Sequence, residues 1–323
     1  MFLLNISLGS INIPIKEVYT SLLQGTCSKD SWNYIILNYR LPKAIVAILV
    51  GIGLSISGLL MQTFFRNPLA GPYVLGLSSG ASLGVAIVIL GASFLPISLS
   101  DFFLSSIGVI IASSLGSFIV MISVLVISKK LRDTMAILIV GLMFGSLTSA
   151  IVGSLTYFSS AEKLQKFTFW SLGNLGNLTW NSIGILTSCV VLGIVLSVFS
   201  IKPLNALLLG ENYAKSLGIN YNKTKYIILF ATSILAGSIT AFVGPIAFIG
   251  LAVPHIAKLI FHTSNHKILF WSTLFLGAII MLICDSITQI PGTDIILPIN
   301  AITSFIGAPI VIWLLLRKKK MLG

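Results

Sequence analysis

The chain has 323 residues, 20 of them basic and 8 acidic, so 9% are charged, while 56% are hydrophobic and the mean hydropathy is +1.04. Soluble domains carry roughly 25% charged residues, so soluble enzymes and disordered chains are excluded, and the class is an all-α polytopic membrane protein in a lipid bilayer. The net charge of +12 does not point to nucleic acid, because the basic residues sit in short segments between apolar runs, and the alternation of an outer-membrane barrel is absent.

In chain order, Met1–Leu8 is apolar but lacks the basic front and small-residue cleavage site of a signal peptide. As a helix it reaches about 12 Å against a hydrocarbon core of about 30 Å, so it cannot span. Apolar runs of spanning length are predicted at Ala44–Phe65, Tyr73–Ala92, Phe103–Ser128, Met135–Tyr157 and Ser182–Ser200. Four more follow at Tyr226–Val243, Pro245–Phe261, Leu269–Gln289 and Leu297–Leu316. Gly244, Pro245, Gly250 and Pro254 predict short or broken helices there, which membrane depth tolerates only inside protein or a cavity. With no long polar segment, residues 1–323 form a single transmembrane domain.

Charge predicts the orientation. A cytoplasmic Arg317–Lys320 tail puts fourteen basic residues inside, Arg66, Arg132 and Lys258 among them. The other six, Lys16, Lys29, Arg40, Lys43, Lys163 and Lys166, fall outside, in keeping with the positive-inside rule. Small residues recur at a spacing of four in Gly141, Gly145, Ser149 and Gly153, in Gly80 and Gly84, and in Ala47, Gly51 and Ser55, which predicts close helix packing.

No phosphate-binding G-x-x-x-x-G-K-[ST], H-E-x-x-H or G-x-S-x-G occurs, and no C-x-x-C pair, so neither catalysis nor a metal site is indicated. His262 and His266 lie four apart and could share a helix face, without further ligands nearby. Asp285 is the one acid within an apolar run, about a turn from the outer end, where hydrogen bonding to a neighbouring helix end is the expected role. Carriers driven by ion gradients need acids nearer the midplane, so the driving energy is expected to come from elsewhere, with such a carrier as the rival class.

Two segments expected inside are more than connectors. Gln62–Pro72 bends at two prolines, with Asn67 before Pro68 favouring a turn. In the loop 201–225, Leu207–Gly218 reads as one short amphipathic helix stopped by Gly218. Leu207, Ala214 and Leu217 are expected on one side and Glu211 and Lys215 paired, and the helix would lie on the membrane or dock in a partner's groove.

Arg40-Leu41-Pro42-Lys43, Gly58, Gln62, Arg66-Asn67-Pro68-Leu69-Ala70, Pro72 and Leu75–Ala81, with Gly76 and Gly80, resemble permeases of the iron-siderophore, haem and cobalamin ABC importers, the FecCD type. Trp170-x-x-Gly173, Leu209-Gly210 through Ala214 to Leu217-Gly218, Phe248–Lys258 and Gly307-Ala308-Pro309 extend the resemblance over nearly the whole chain. It implies a ten-helix permease with its first helix truncated, about nine full spans remaining, and roughly 12–20 residues of that helix expected before Met1. It further implies a second permease copy, two cytoplasmic ATPase subunits that hold ATP and Mg, and an extracytoplasmic binding protein. The chain itself would bind no cofactor, do no covalent chemistry, and lie in a bacterial inner membrane.

Residue by residue, the resemblance makes Arg40 and Lys43 the docking contacts for the binding protein. Leu209, Gly210, Glu211, Ala214, Leu217 and Gly218 become the ATPase coupling segment, with Ala214 pressed against the partner. Gln62, Arg66, Asn67, Pro68, Gly76, Gly80, Gly250, Pro254, His255 and Asp285 become structural motif residues. The sequence departs from the family pattern at Lys43 and Gln289, where arginines are common, and at Ile296 and Asn300, where Glu and Gly are common.

Overall fold

The structure, a computed structural model, describes residues 1–91, 105–131, 134–289 and 295–320. Ala92, Phe103 and Arg132, named above, lie outside the described residues, as do the side chains of Arg317–Lys320. Two short helices, α1 (Phe2–Ser7) and α2 (Ile15–Gln24), precede the long α3 (Asp30–Phe64), which passes through one π turn at Ile36–Arg40. Then come α4 (Leu77–Ile89), α5 (Ser106–Lys130), α6 (Thr134–Tyr157), α7 (Ala161–Ser171) and α8 (Trp180–Val198). Two short helices, α9 (Ile201–Leu207) and α10 (Glu211–Ser216), lead into α11 (Tyr221–Val243), α12 (Ile249–Phe261), α13 (His266–Thr288) and α14 (Ile299–Lys320).

Among the described residues, six helices have the length and apolarity to cross a membrane: α3, α5, α6, α8, α11 and α13. Of the other three expected spans, two are shorter. α4 and α12 have 13 residues each, whereas α14 has 22 and ends in the basic Arg317–Lys320. Thirteen helical residues reach about 20 Å, two-thirds of the hydrocarbon thickness. The span expected at Tyr73–Ala92 begins instead as a 3₁₀ turn, Pro72–Leu75, and turns at Gly76 (φ +77°) before α4 starts. Phe248, also in left-handed backbone (φ +66°), starts α12, and Gly244 (φ +79°) ends α11. These breaks are covered by protein: Pro72, Leu75 and Ile246 are all buried.

α3 is the centre of the bundle. It pairs most extensively with α13 and also touches α8, α11 and α12. Its small residues account for this. A Cβ on Gly51 would collide with the Gly277 carbonyl, one on Gly277 with Ser55, and one on Gly58 with the Gly250 carbonyl. The helices therefore meet backbone to backbone, which gains dispersion contact where no hydrophobic drive separates helix from lipid. Gly80 and Gly84 meet Gly116 and Ala112 of α5 in the same way. The third predicted stripe is only partly used: Gly141 touches the Val74 carbonyl, whereas Gly153 faces open space. α6 accordingly lies at the periphery and exposes Ile139, Met143 and Leu147.

The close approach has a measurable consequence. Gly277→Val should cost about 3 kcal/mol or more, because two backbones would have to separate. Gly184→Ala in α8, where a Cβ meets nothing within 4 Å, should leave stability unchanged or raise it by up to about 1 kcal/mol. Thermal unfolding of the two detergent-solubilised variants checks both.

Candidate functional site

At the end expected outside, α3 and α13 are joined by charge. Lys43 Nζ lies 2.9 Å from Asp285 Oδ1, as an ion pair rather than an aligned hydrogen bond, and Asp285 is 1% exposed. The other carboxylate oxygen accepts from Asn5 Nδ2 at 2.9 Å, which fastens α1 to α13. Gln289, with its amide turned to satisfy both ends, donates to the Leu8 carbonyl (2.8 Å) and accepts from Lys43 Nζ (3.2 Å). Asp285 thus lies about one turn from the end of α13, ion-paired to α3 and hydrogen-bonded to α1. The two departures at Lys43 and Gln289 belong to one network, in which a single cation and a neutral amide surround one carboxylate.

Arg40 is committed nearby. Nη1 donates to the Ile6 and Ser7 carbonyls, both at 2.8 Å, and Nη2 to the Ile11 carbonyl, so the guanidinium closes the end of α1. Neither docking candidate is a free surface charge, yet both line a cavity of about 810 Å³ open at this end, with Asn174, Asn177 and Asp285. Trp170 stacks on Phe167 of the amphipathic α7, whose apolar side packs on the end of α4. The chain then turns at Gly173 (φ +77°), and Asn174 N–H donates to the Val243 carbonyl. Asn300 has a definite task here: its Oδ1 accepts from Ala247 N–H (2.9 Å) while its own N–H donates to Leu172, tying α14 to the α11–α12 turn. Ile296 is exposed, bridges to Gln289, and lines the same cavity.

At the opposite end, the turn 62–72 is knotted to α12. Gln62 Nε2 donates to the Leu251 carbonyl (3.0 Å), and His255 Nε2 donates to Pro68 (2.9 Å). Asn67 Oδ1 accepts from Leu69 N–H, the side-chain turn expected before Pro68. Gly250 lets α12 reach Pro72 and the Leu54 carbonyl, and Pro254 is buried within α12. Arg66, in left-handed backbone (φ 47°), donates to the Leu207 carbonyl at 2.8 Å and so holds the last turn of α9.

A second tie was not foreseen from sequence. Asn205 Oδ1 in α9 accepts from the backbone N–H (2.8 Å) and Nδ1 (3.0 Å) of the buried His266, leaving Nε2 to accept the Thr63 hydroxyl at 2.8 Å. α9 is thereby fastened to α3 and α13 together. His262 ends α12 and His266 opens α13, so the two do not share a helix face.

The loop itself differs from expectation. Gly210 (φ +118°) breaks the single helix expected over Leu207–Gly218 into α9 and α10, while Gly218 (φ +79°) is the stop. Glu211 and Lys215 pair at 2.7 Å, as their spacing predicts. Leu207 and Ala214 are buried against the bundle, but Leu217 is 57% exposed and is not on their side. Ala214 therefore packs inward, not against a partner. The exposed apolar ridge consists of Leu208, Leu209 (66% exposed), Tyr213 and Leu217.

The model of the FecCD transport family matches residues 1–317. The hemin transport system permease of Yersinia pestis is 33% identical over 321 residues, covering 99% of this chain and 94% of the relative. The vitamin B12 import system permease of Vibrio parahaemolyticus is 33% identical over 311 residues, 96% of this chain and 90% of the relative. A solved inward-facing ABC transporter assigned to the metal-chelate type matches with a TM-score of 0.83 at 28% identity, covering 98% of this chain and 95% of that one. Members of the family are transport permease subunits and not enzymes. The multi-pass membrane protein described here belongs to the FecCD transport family.

Proposed function

We propose that the chain is the permease subunit of an ATP-driven importer for an iron-siderophore, haem or corrinoid chelate, in the inner membrane of a bacterial-type cell. A second copy completes the pathway, and the exposed apolar face of α6 supplies contact surface for it. ATP and Mg are handled by two ATPase subunits at the α9–α10 end, which is cytoplasmic together with the C-terminus. An extracytoplasmic binding protein delivers the chelate to the end that carries Arg40 and Lys43.

The observation that carries the reading is the pair α9–α10. It offers a solvent-facing apolar ridge, and Asn205–His266–Thr63 and Arg66–Leu207 join its base to the central helices. An exposed apolar ridge on a short helix fits a partner's groove, and the ties to α3 and α13 give a push there a route into the membrane.

In reconstituted vesicles, uptake of the chelate by the assembled transporter should stop with vanadate and persist when the ion gradient is collapsed. The reverse result would favour an ion-driven carrier. The double variant Leu209→Asp, Leu217→Asp should fold, since both side chains are exposed, yet co-purify with at least ten-fold less ATPase, because a partner's apolar cleft would have to bury two charges. At the other end, Arg40→Gln keeps amide donors for the carbonyls of α1 while removing the charge. Capture of the binding protein should weaken about ten-fold at low salt and less at high salt. Unchanged capture would remove Arg40 from the docking surface.

A further inference from the structure

α5, α8 and α11 leave a groove on the outside of the bundle, at the same end as the α9–α10 loop. It has a volume of about 460 Å³, and its walls are Leu125 and Val126 from α5, Leu196 from α8, and Tyr226 and Phe230 from α11, with Lys129 at its mouth. Val126, Phe230 and Lys129 are exposed, so the groove opens sideways, along surfaces that are apolar over the length of these spanning helices. A crevice of this kind in a bilayer takes a lipid chain.

What selects the lipid is charge. Beside the groove, Lys225 is 4% exposed, and its ammonium donates to the Ser128 carbonyl at 2.7 Å and lies 5.2 Å from the Tyr226 ring centre. A carbonyl at the end of α5 and an aromatic face satisfy its hydrogen bonding without neutralising its charge. Among the described residues no carboxylate lies within ion-pair distance of Lys225, and the nearby Glu211 is already paired with Lys215. Lys129 and Lys130 end α5 on the same level and add to the positive field. Buried ammonium groups are ordinarily paired, and Lys225 adjoins Tyr226, which lines the groove together with Lys129.

We propose that this groove binds one anionic phospholipid of the phosphatidylglycerol type, its acyl chain lying along Leu125, Val126, Leu196 and Phe230 and its phosphate held by Lys129 next to Lys225. Basic clusters between transmembrane helices attract anionic headgroups by about ten-fold over zwitterionic ones when two lysines contribute. The site is independent of the transported substrate and stands whether or not the chain imports a chelate.

Native mass spectrometry of the full-length protein in mild detergent tests this. Titration with dioleoylphosphatidylglycerol should show one lipid retained, with a Kd about ten-fold below that of dioleoylphosphatidylcholine. Lys129→Gln should cut the preference to about three-fold, the share left to Lys225, while Lys202→Gln, outside the groove lining, should keep it. Val126→Trp, which fills an exposed part of the groove, should weaken both lipids. Equal affinity in the unaltered protein, or a preference undiminished by Lys129→Gln, would overturn the proposal. Competition by free glycerol phosphate as effective as by the lipid would also overturn it, since the acyl groove would then contribute nothing.

Discussion

Backbone contact between α3 and α13 is the constraint on which the rest of this structure depends. Gly51 and Gly277 touch through their carbonyls, and Gly58 does the same against Gly250 of α12. In lipid there is little to gain from burying leucine against leucine, so what holds helices together is dispersion at close range and the polar bonds that close range permits. With these contacts fixed, the ends of the helices come within reach of one another, and the polar ties follow. Lys43 meets Asp285 at one end, and Thr63 meets His266 at the other.

The two short helices α4 and α12 depend on the same constraint. Neither crosses the hydrocarbon alone, so the irregular backbone at Pro72–Gly76 and Gly244–Phe248 lies at depth and must be covered by protein. Tyr73 covers both breaks at once, its hydroxyl reaching Thr240 and Ile246 N–H at 3.4 Å. Gln62 serves a similar end at the turn between α3 and α4, spending its amide on the first turn of α12. The family motif is therefore legible as physics: Gln62, Arg66 and Asn67 each bond a backbone group, in α12, at the end of α9 and within the turn itself.

Much of this was visible in sequence, and the failures share a cause. Apolar run length located every long helix, Gly and Pro marked the broken ones, and the spacing of Glu211 and Lys215 predicted their pair. All of these are local signals. The single helix expected over Leu207–Gly218 is interrupted because Gly210, at positive φ, turns α10 relative to α9, so the periodicity that groups Leu217 with Ala214 does not run through it. The His266–Asn205 tie joins residues 61 apart, and Lys43–Asp285 spans most of the chain. No periodicity encodes such partners. Asn300 was legible only as a departure, because its task is to accept a hydrogen bond from a turn that tertiary packing brings to it.

The placement of charge also bears on how energy could enter. Asp285 is the one acid inside an apolar run, and it is held by Lys43 and Asn5 at a helix end rather than left to exchange protons at the midplane. Between it and the loop α9–α10 lies α3, whose 24-residue straight segment, Leu41–Phe64, reaches about 36 Å. Because α3 and α13 meet through carbonyls, one cannot slide past the other without lifting the backbones apart. In the importer proposed here, a displacement of α9 pulls on Asn205 and Arg66, and so on α3 and α13 as one body. That body ends at the cavity beneath Arg40 and Lys43. In that reading a rigid pair fastened at both ends carries work from an external ATPase to an external docking face with, among the described residues, no carboxylate between its two ends, and the polar residues of this bundle are distributed accordingly.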